Sequence, residues 1–378
     1  MNTSYSEISE DIKHRAYKLY WNEQNTDYLT PNSVLLSIFL LIGVPGNLAV
    51  IFVYQFRLKK KTDGRYFIVP LAWTDTVALL ITGAFNLTQN IKSVMFPGFG
   101  SCKLLIYLSY VSTCISLYLL GAIAIQRYLK ICRPFGRQLN LVWKRRCVFL
   151  CALASLVLYI PVLFHYGLVE TRNSHLGNIT GHQCSELSGS SSKLKWLKIF
   201  QGIGVFGTFC DVITITILYV LITRTIIKQT RKMIIVKSNV SNSCRTSGAT
   251  GGTYTPKLLE SAASETETSM SMDSSTQVSK SRGIQPTQPD PRKSAYRISF
   301  MFMTISIVGF LAYLPSWTLV MIETSNLEFW KKLSPATFHI CLVLRRMYMV
   351  NHLCNPFIYG VFDKAFKEEM RKLFGKKR

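Results

Sequence analysis

The sequence predicts an all-α membrane protein: a seven-transmembrane helix bundle with its N-terminus outside and a C-terminal amphipathic helix on the cytosolic face. Three observations predict it. The 378 residues are 48% hydrophobic and only 17% charged, with a mean hydropathy of +0.21, which points to lipid rather than water as the solvent. Seven mostly apolar runs lie near 33–56, 66–91, 103–128, 146–167, 197–223, 297–322 and 337–360, and a helix needs roughly 20 such residues to cross the hydrocarbon core. Basic residues collect in alternate loops, which the positive-inside rule assigns to the cytosol.

Residues 1–32 are polar and lack the short apolar core of a cleavable signal, so an extracellular segment is expected there, with the first span as signal anchor. Arg57, Lys59, Lys60, Lys61 and Arg65 follow the first span. Lys130, Arg133, Arg137, Lys144, Arg145 and Arg146 follow the third, and Arg224, Lys228, Arg231 and Lys232 the fifth. The net charge of +24 is thereby a topological signal and calls for no nucleic acid. The second span is the least apolar, and the fifth carries Asp211.

The bundle is expected over 33–360, with a cytosolic third loop at 225–294. From 233 that loop is dominated by Ser, Thr, Gly and Pro, buries too little apolar surface to fold, and reads as disordered, either open to kinases or a plain tether. Past Tyr359, the spacing of Phe362, Phe366, Met370, Leu373 and Phe374 makes 361–378 a cytosolic helix and tail with one apolar face, suited to the lipids of the inner leaflet. It contains no cysteine for an acyl anchor. Ten cysteines in the whole chain form no CxxC pair, so a metal-ligand cluster is not expected. Asn2 and Asn178 begin glycosylation sequons in segments expected outside, where Cys102 and Cys184 also meet an oxidising compartment.

Polar groups in hydrocarbon cost several kcal/mol and are functional candidates by default. Asp75 lies ten residues inward of Arg65, about 15 Å at the helical rise and so near the midplane. Ser116, eleven residues before Arg127, reaches a similar depth. Asn47, Asn351 and Asn355 offer further polar atoms, so five oxygen-bearing side chains can converge. His352 reads as a satisfied bundle histidine rather than a proton sensor.

Gly46-Asn47, Leu71-Ala72-Trp73-Thr74-Asp75, Cys102, Gln126-Arg127-Tyr128 and Asn355-Pro356-Phe357-Ile358-Tyr359 together carry a resemblance. The chain resembles the rhodopsin-like (class A) G-protein-coupled receptors over all seven spans, about residues 33–374. The resemblance implies a disulfide between Cys102 and Cys184. It implies that Arg127, flanked by Gln126 and Tyr128, is the switch arginine that engages a heterotrimeric G protein and Tyr219 when the sixth span swings out. Tyr219 and Tyr359 would belong to that active state, and Asn355 and Pro356 to the motif preceding Tyr359. Asp75, Ser116, Asn351 and Asn355 match a sodium pocket for an allosteric ion, and no cofactor is expected. Pro315 matches the kink of the sixth span. Arrestin and receptor kinases are implied partners, and the plasma membrane the implied location.

The departures are informative. The acid expected before the switch arginine is Gln126, and the partner acid at the foot of the sixth span is Ala295, so raised basal activity is expected. The fourth span lacks its usual tryptophan. The sixth reads Gly309 and Ala312-Tyr313-Leu314-Pro315, leaving Tyr313 as the stand-in for an indole, and Asp211 stands where the fifth usually has a proline.

Ser109 occupies the position of the amine-binding aspartate and Met349 that of the retinal lysine, so neither an amine nor retinal is expected. An outer bundle with Tyr107, Tyr110, Trp317, Arg345 and Arg346 favours an extracellular peptide, with Ser109, Tyr110, Tyr313, Trp317 and Arg345 as pocket residues in a neuropeptide-receptor branch. Arg345 is the candidate clamp for a peptide carboxylate, against snorkelling to headgroups. The alternatives are a receptor for a non-peptide small molecule, or a seven-span transporter or channel. No inverted repeat, paired catalytic aspartate or HExxH motif supports transport or an enzyme.

Overall fold

A computed structural model of the protein describes residues 2–58, 63–187, 191–246, 291–326, 328–373 and 375. In chain order the helices are α1 (Asn2–Phe52), α2 (Ile68–Ile91), α3 (Phe99–Cys132), α4 (Leu141–Leu158) and the short α5 (Val162–His165). A hairpin of β1 (Tyr166–Asn173) and β2 (Ile179–Glu186) follows, then α6 (Ser191–Thr246), α7 (Pro291–Ser325), α8 (Pro335–Arg346), α9 (Met349–Phe362) and α10 (Lys364–Leu373). Two compact units separate, residues 1–223 with 295–378, and residues 224–294. In the second unit 224–246 and 291–294 are helical, and the loop expected to be disordered from 233 lies otherwise, at 247–290, outside the described residues.

The first unit exposes large apolar side chains and buries a set of polar ones within an otherwise apolar core. Leu41 is 74% exposed and Phe206 71%, whereas Asn47, Asp75, Ser116, Asn351 and His352 are fully buried. Hydrocarbon as solvent explains this arrangement, because apolar surface costs nothing there while a buried polar side chain finds partners only in the bundle.

Six helices among the described residues are long and apolar enough to cross a membrane. The seventh crossing, expected as one run over 337–360, is divided between α8 and α9. Ser316 of α7 stabilises the break: its hydroxyl donates toward the carbonyls of Leu344 (3.1 Å) and Arg345 (3.2 Å) and accepts from the Tyr348 amide at 3.3 Å. The backbone groups freed by the break are satisfied from a neighbouring helix.

The other boundary differences have local causes. Helix α4 begins earlier than 146 because Asn140 caps it, accepting from the Trp143 amide at 2.9 Å. It ends before Pro161, and the backbone is already extended at Tyr166. Helix α1 reaches outward through the segment expected only to be polar. Asn22 donates to the Ile91 carbonyl (2.9 Å), and Asn32 accepts from Asn90 (2.9 Å), so amide pairs fasten that extension to α2 and the turn after it.

Asp363 separates α9 from α10. Its carboxylate accepts the Ala365 amide at 3.0 Å as a helix cap and receives two hydrogen bonds of 2.8 Å from Arg65 and one of 2.7 Å from Tyr54. The Tyr54 ring stacks on Phe366 of α10 with centroids 5.6 Å apart. The apolar face read from the sequence therefore packs at least one of its phenylalanines, 4% exposed, onto the bundle.

Candidate functional site

At the outer end, Cys102 on α3 and Cys184 on β2 form a disulfide with Cα atoms 5.5 Å apart, within the usual span of such bonds. The hairpin is also tied to the segment after α2: His182 exchanges backbone hydrogen bonds with Val94 (2.8 Å) and Phe96 (3.1 Å), and Gln89 donates to the Cys184 carbonyl at 3.0 Å. These links hold the hairpin as a roof over the bundle mouth.

Beneath it lies an aromatic wall. Tyr110 stacks on Tyr159 with centroids 5.3 Å apart, and Tyr313 stacks on Trp317 at 5.3 Å and faces Tyr348 at 6.4 Å. Tyr166 donates to Glu186 at 2.7 Å. Arg345 turns inward, with Nε 3.0 Å from Glu323 of α7 and its side chain 30% exposed. It is engaged within the protein rather than extended to headgroups. Ser109 donates to the Leu105 carbonyl of its own helix (2.8 Å), and Tyr107 reaches across to the Leu156 carbonyl of α4 (2.9 Å). Those two hydroxyls are therefore committed to backbone. Trp317 also borders a cleft of about 550 Å³ with Val205, Phe209 and Leu314.

The midplane gathers on Asp75. Its Oδ1 accepts from Ser116 Oγ (2.7 Å) and His352 Nδ1 (2.8 Å), and its Oδ2 from Asn355 Nδ2 (2.5 Å). Asn351 is not part of this cluster. Its amide lies against Gly309 of α7, where any Cβ would collide with Asn351 Oδ1, and neither amide atom has a hydrogen-bond partner among the described residues. Glycine at 309 is thus the condition for that rotation of α9.

Pro356 removes the amide that would bind the His352 carbonyl four residues back. Asn47 of α1 supplies the missing donor, with Nδ2 2.8 Å from that oxygen and 3.0 Å from its own Gly43 carbonyl. Gly46 permits the approach, since a Cβ there would lie 3.0 Å from the proline ring.

At the inner end Arg127 is 1% exposed. Its Nη2 donates to the Gly64 carbonyl and to Gln126 Oε1 at 3.1 Å, and its guanidinium lies 5.0 Å from the centre of the Phe302 ring on α7. Ser299 bonds the Ala295 carbonyl of its own helix at 3.1 Å. Tyr219 and Tyr359 are buried, and the Tyr359 hydroxyl has no hydrogen-bond partner among the described residues.

A disulfide-tied outer hairpin, a polar midplane and a buried inner arginine, in one helical bundle, match known proteins. A family model described as 7 transmembrane receptor (rhodopsin family) matches residues 46–359. The chain belongs to that family. It is 29% identical over 152 residues to the tachykinin-like peptides receptor 99D of Drosophila melanogaster, a match covering 39% of this chain and 28% of that one. The chain thus spans under a third of that relative's length. It is 23% identical over 354 residues to the thyrotropin-releasing hormone receptor of Ovis aries, covering 92% and 78%. Squid rhodopsin shares the fold at a TM-score of 0.62 and 17% identity, over 93% of this chain and 86% of that one.

As a rhodopsin-family receptor the protein is a multi-pass protein of the plasma membrane. The sodium ion implied by the resemblance finds a poor donor set at Asp75. A hard cation prefers oxygen ligands, yet an imidazole nitrogen occupies one side of the carboxylate and Asn351 points elsewhere. Among the described residues, no three His, Cys, Asp or Glu side chains form a metal-holding group.

Several residues of this receptor's site were not anticipated. Glu323, the only acid between 297 and 326, was legible as an intramembrane charge opposite Arg345. Gly64, Phe302 and Asp363 carry no such signal, since their roles depend on which neighbour packs against them.

Proposed function

We propose that this receptor binds an extracellular peptide and activates a heterotrimeric G protein. The observation that carries this reading is the outer end of the bundle, where a disulfide-tied hairpin lies by a set of aromatic side chains and one inward ion pair, Arg345 with Glu323. That pair offers a carboxylate, an amide or a cationic group a partner of either sign, while the rings take apolar side chains. The names of two relatives, a receptor for tachykinin-like peptides and one for thyrotropin-releasing hormone, point the same way.

The arrangement supports a route inward. A ligand that engages Arg345 or Glu323 bears on the contact between α7 and α8, which Ser316 joins to the break ahead of α9. Helix α9 carries Asn355 and His352 on Asp75, and Asp75 holds Ser116 of α3, the helix that ends near Arg127. Activation requires that the ligand prefer the arrangement in which Arg127 leaves Gly64 and Phe302 and faces the G protein. A peptide library applied to cells expressing the chain, read by G-protein dissociation, tests the reading. A peptide that stimulates nucleotide exchange supports it; transport or conduction without exchange would replace it.

The resting contacts of Arg127 include a backbone carbonyl, the neutral amide of Gln126 and an aromatic ring. A carboxylate there would add to the guanidinium's hydrogen bond a Coulomb attraction that the neutral amide lacks. The expected result is that Gln126→Asp stabilises the resting state by on the order of 1 kcal/mol, lowering agonist-free nucleotide exchange about fivefold. Exchange measured at matched surface density checks it, and an unchanged or higher rate refutes it.

Desensitisation belongs to the same proposal. The serines and threonines of 233–294 offer receptor kinases the sites whose phosphates prepare arrestin binding. Deleting 240–285 is expected to preserve G-protein coupling and weaken arrestin recruitment; unchanged recruitment would make the loop a tether. Asn178, exposed with φ 60° near the hairpin tip, is the accessible candidate for glycosylation. The side chain of Asn2, the other candidate, lies outside the described residues.

A further inference from the structure

We propose that His352 is the built-in occupant of the midplane pocket, taking the place of a sodium ion, so that this receptor's resting state is indifferent to sodium. Two independent placements point to it. The imidazole Nδ1 sits 2.8 Å from Asp75 Oδ1, with both side chains 0% exposed. Asn351, the residue that the resemblance would assign to the ion, has its amide against Gly309 instead.

The electrostatics explain the substitution. A carboxylate can only accept, so Nδ1 carries the hydrogen and presents its positive end to Oδ1. Ser116 shares that oxygen and Asn355 takes the other. Three donors therefore already occupy most of the carboxylate's lone-pair positions, and a cation entering would have to displace at least one of them. The ring is also anchored at its base. Asn47 holds the His352 carbonyl that Pro356 leaves free, which fixes the residue on α9 while its ring bonds α2. One histidine thus joins α1, α2 and α9, the task that a shared ion would otherwise perform. Leaving Asp75 would cost the ring its carboxylate and leave its other buried nitrogen, Nε2, still without a partner.

The experiment is thermal denaturation of the purified full chain in detergent, in about 150 mM sodium chloride against choline chloride of equal ionic strength. It needs no agonist, so its outcome is separate from that of the ligand reading. The native chain is expected to show the same midpoint in both salts, within about 1 °C. His352→Ser, which trades the ring for a small oxygen donor, is expected to gain a sodium-dependent rise of about 2 °C or more. Adding Asp75→Asn to that variant should abolish the gain. A sodium-dependent rise in the native chain overturns the proposal by itself, and it requires no variant to fold. A well-folded His352→Ser that stays indifferent to sodium also overturns it, because the ring is then not what excludes the ion. Where His352→Ser is not recovered folded, His352→Ala is read the same way.

Discussion

Replacing Arg345 with alanine lowers the potency of a peptide agonist at least about tenfold at equal surface expression. The guanidinium is one of the few charges inside the outer bundle, 3.0 Å from Glu323 and only 30% exposed, so little water reaches it. A hydrogen bond to a charged group in such a setting contributes about 1.5–3 kcal/mol, and about 1.4 kcal/mol is already tenfold. The companion substitution reports the mechanism. If the agonist brings an anionic group that displaces Glu323, Glu323→Gln releases the arginine beforehand and keeps or improves potency. If the ion pair only braces α7 against α8, both substitutions weaken the response together. Concentration–response curves of nucleotide exchange separate the cases, and a loss below threefold for Arg345→Ala removes the clamp.

Replacing Asp363 with alanine is expected to be the most destabilising of these changes. The carboxylate is fully buried and accepts four hydrogen bonds, two from Arg65, one from Tyr54 and one from the Ala365 amide. Removing it leaves Arg65, only 15% exposed, beside an emptied site and uncaps α10. Breaking a buried pair from one side costs about 3–5 kcal/mol, which corresponds to a fall of roughly 4–6 °C in the denaturation midpoint of a chain this long. Adding Arg65→Ala to Asp363→Ala should cost little more, because the arginine is then no longer stranded. A fall of under 2 °C for the single variant would show that the Tyr54–Phe366 stack, rather than the carboxylate, holds α10 in place.

Much of this receptor was legible along the chain. Apolar length and the placement of Lys and Arg between spans determined the bundle and its direction across the membrane, because both follow from local composition meeting lipid and an asymmetric charge rule. The acid at 75 announced a polar midplane, since it is costly in hydrocarbon unless other helices compensate. The motifs around Asn47, Arg127 and Asn355 pointed to the family, and that resemblance to the Cys102–Cys184 bond that ties the hairpin to α3.

What remained was decided by rotation and contact. Neighbouring residues on a helix point about 100° apart, so the sequence alone left Asn351 and His352 both as candidates for the interior. The single notch at Gly309 and the single donor at Asn47 selected the histidine for Asp75 and turned the asparagine away. Ser316 divided the last span where hydropathy read one continuous run. The Gly64 carbonyl and the Phe302 ring hold Arg127 where the resemblance led one to look for acids. Each of these choices joins residues far apart in the chain through one or two atoms, and composition and periodicity carry no record of which atoms meet. The sequence by itself determined that polar groups would face one another inside the bundle; only the packed helices decided which carboxylate met which donor.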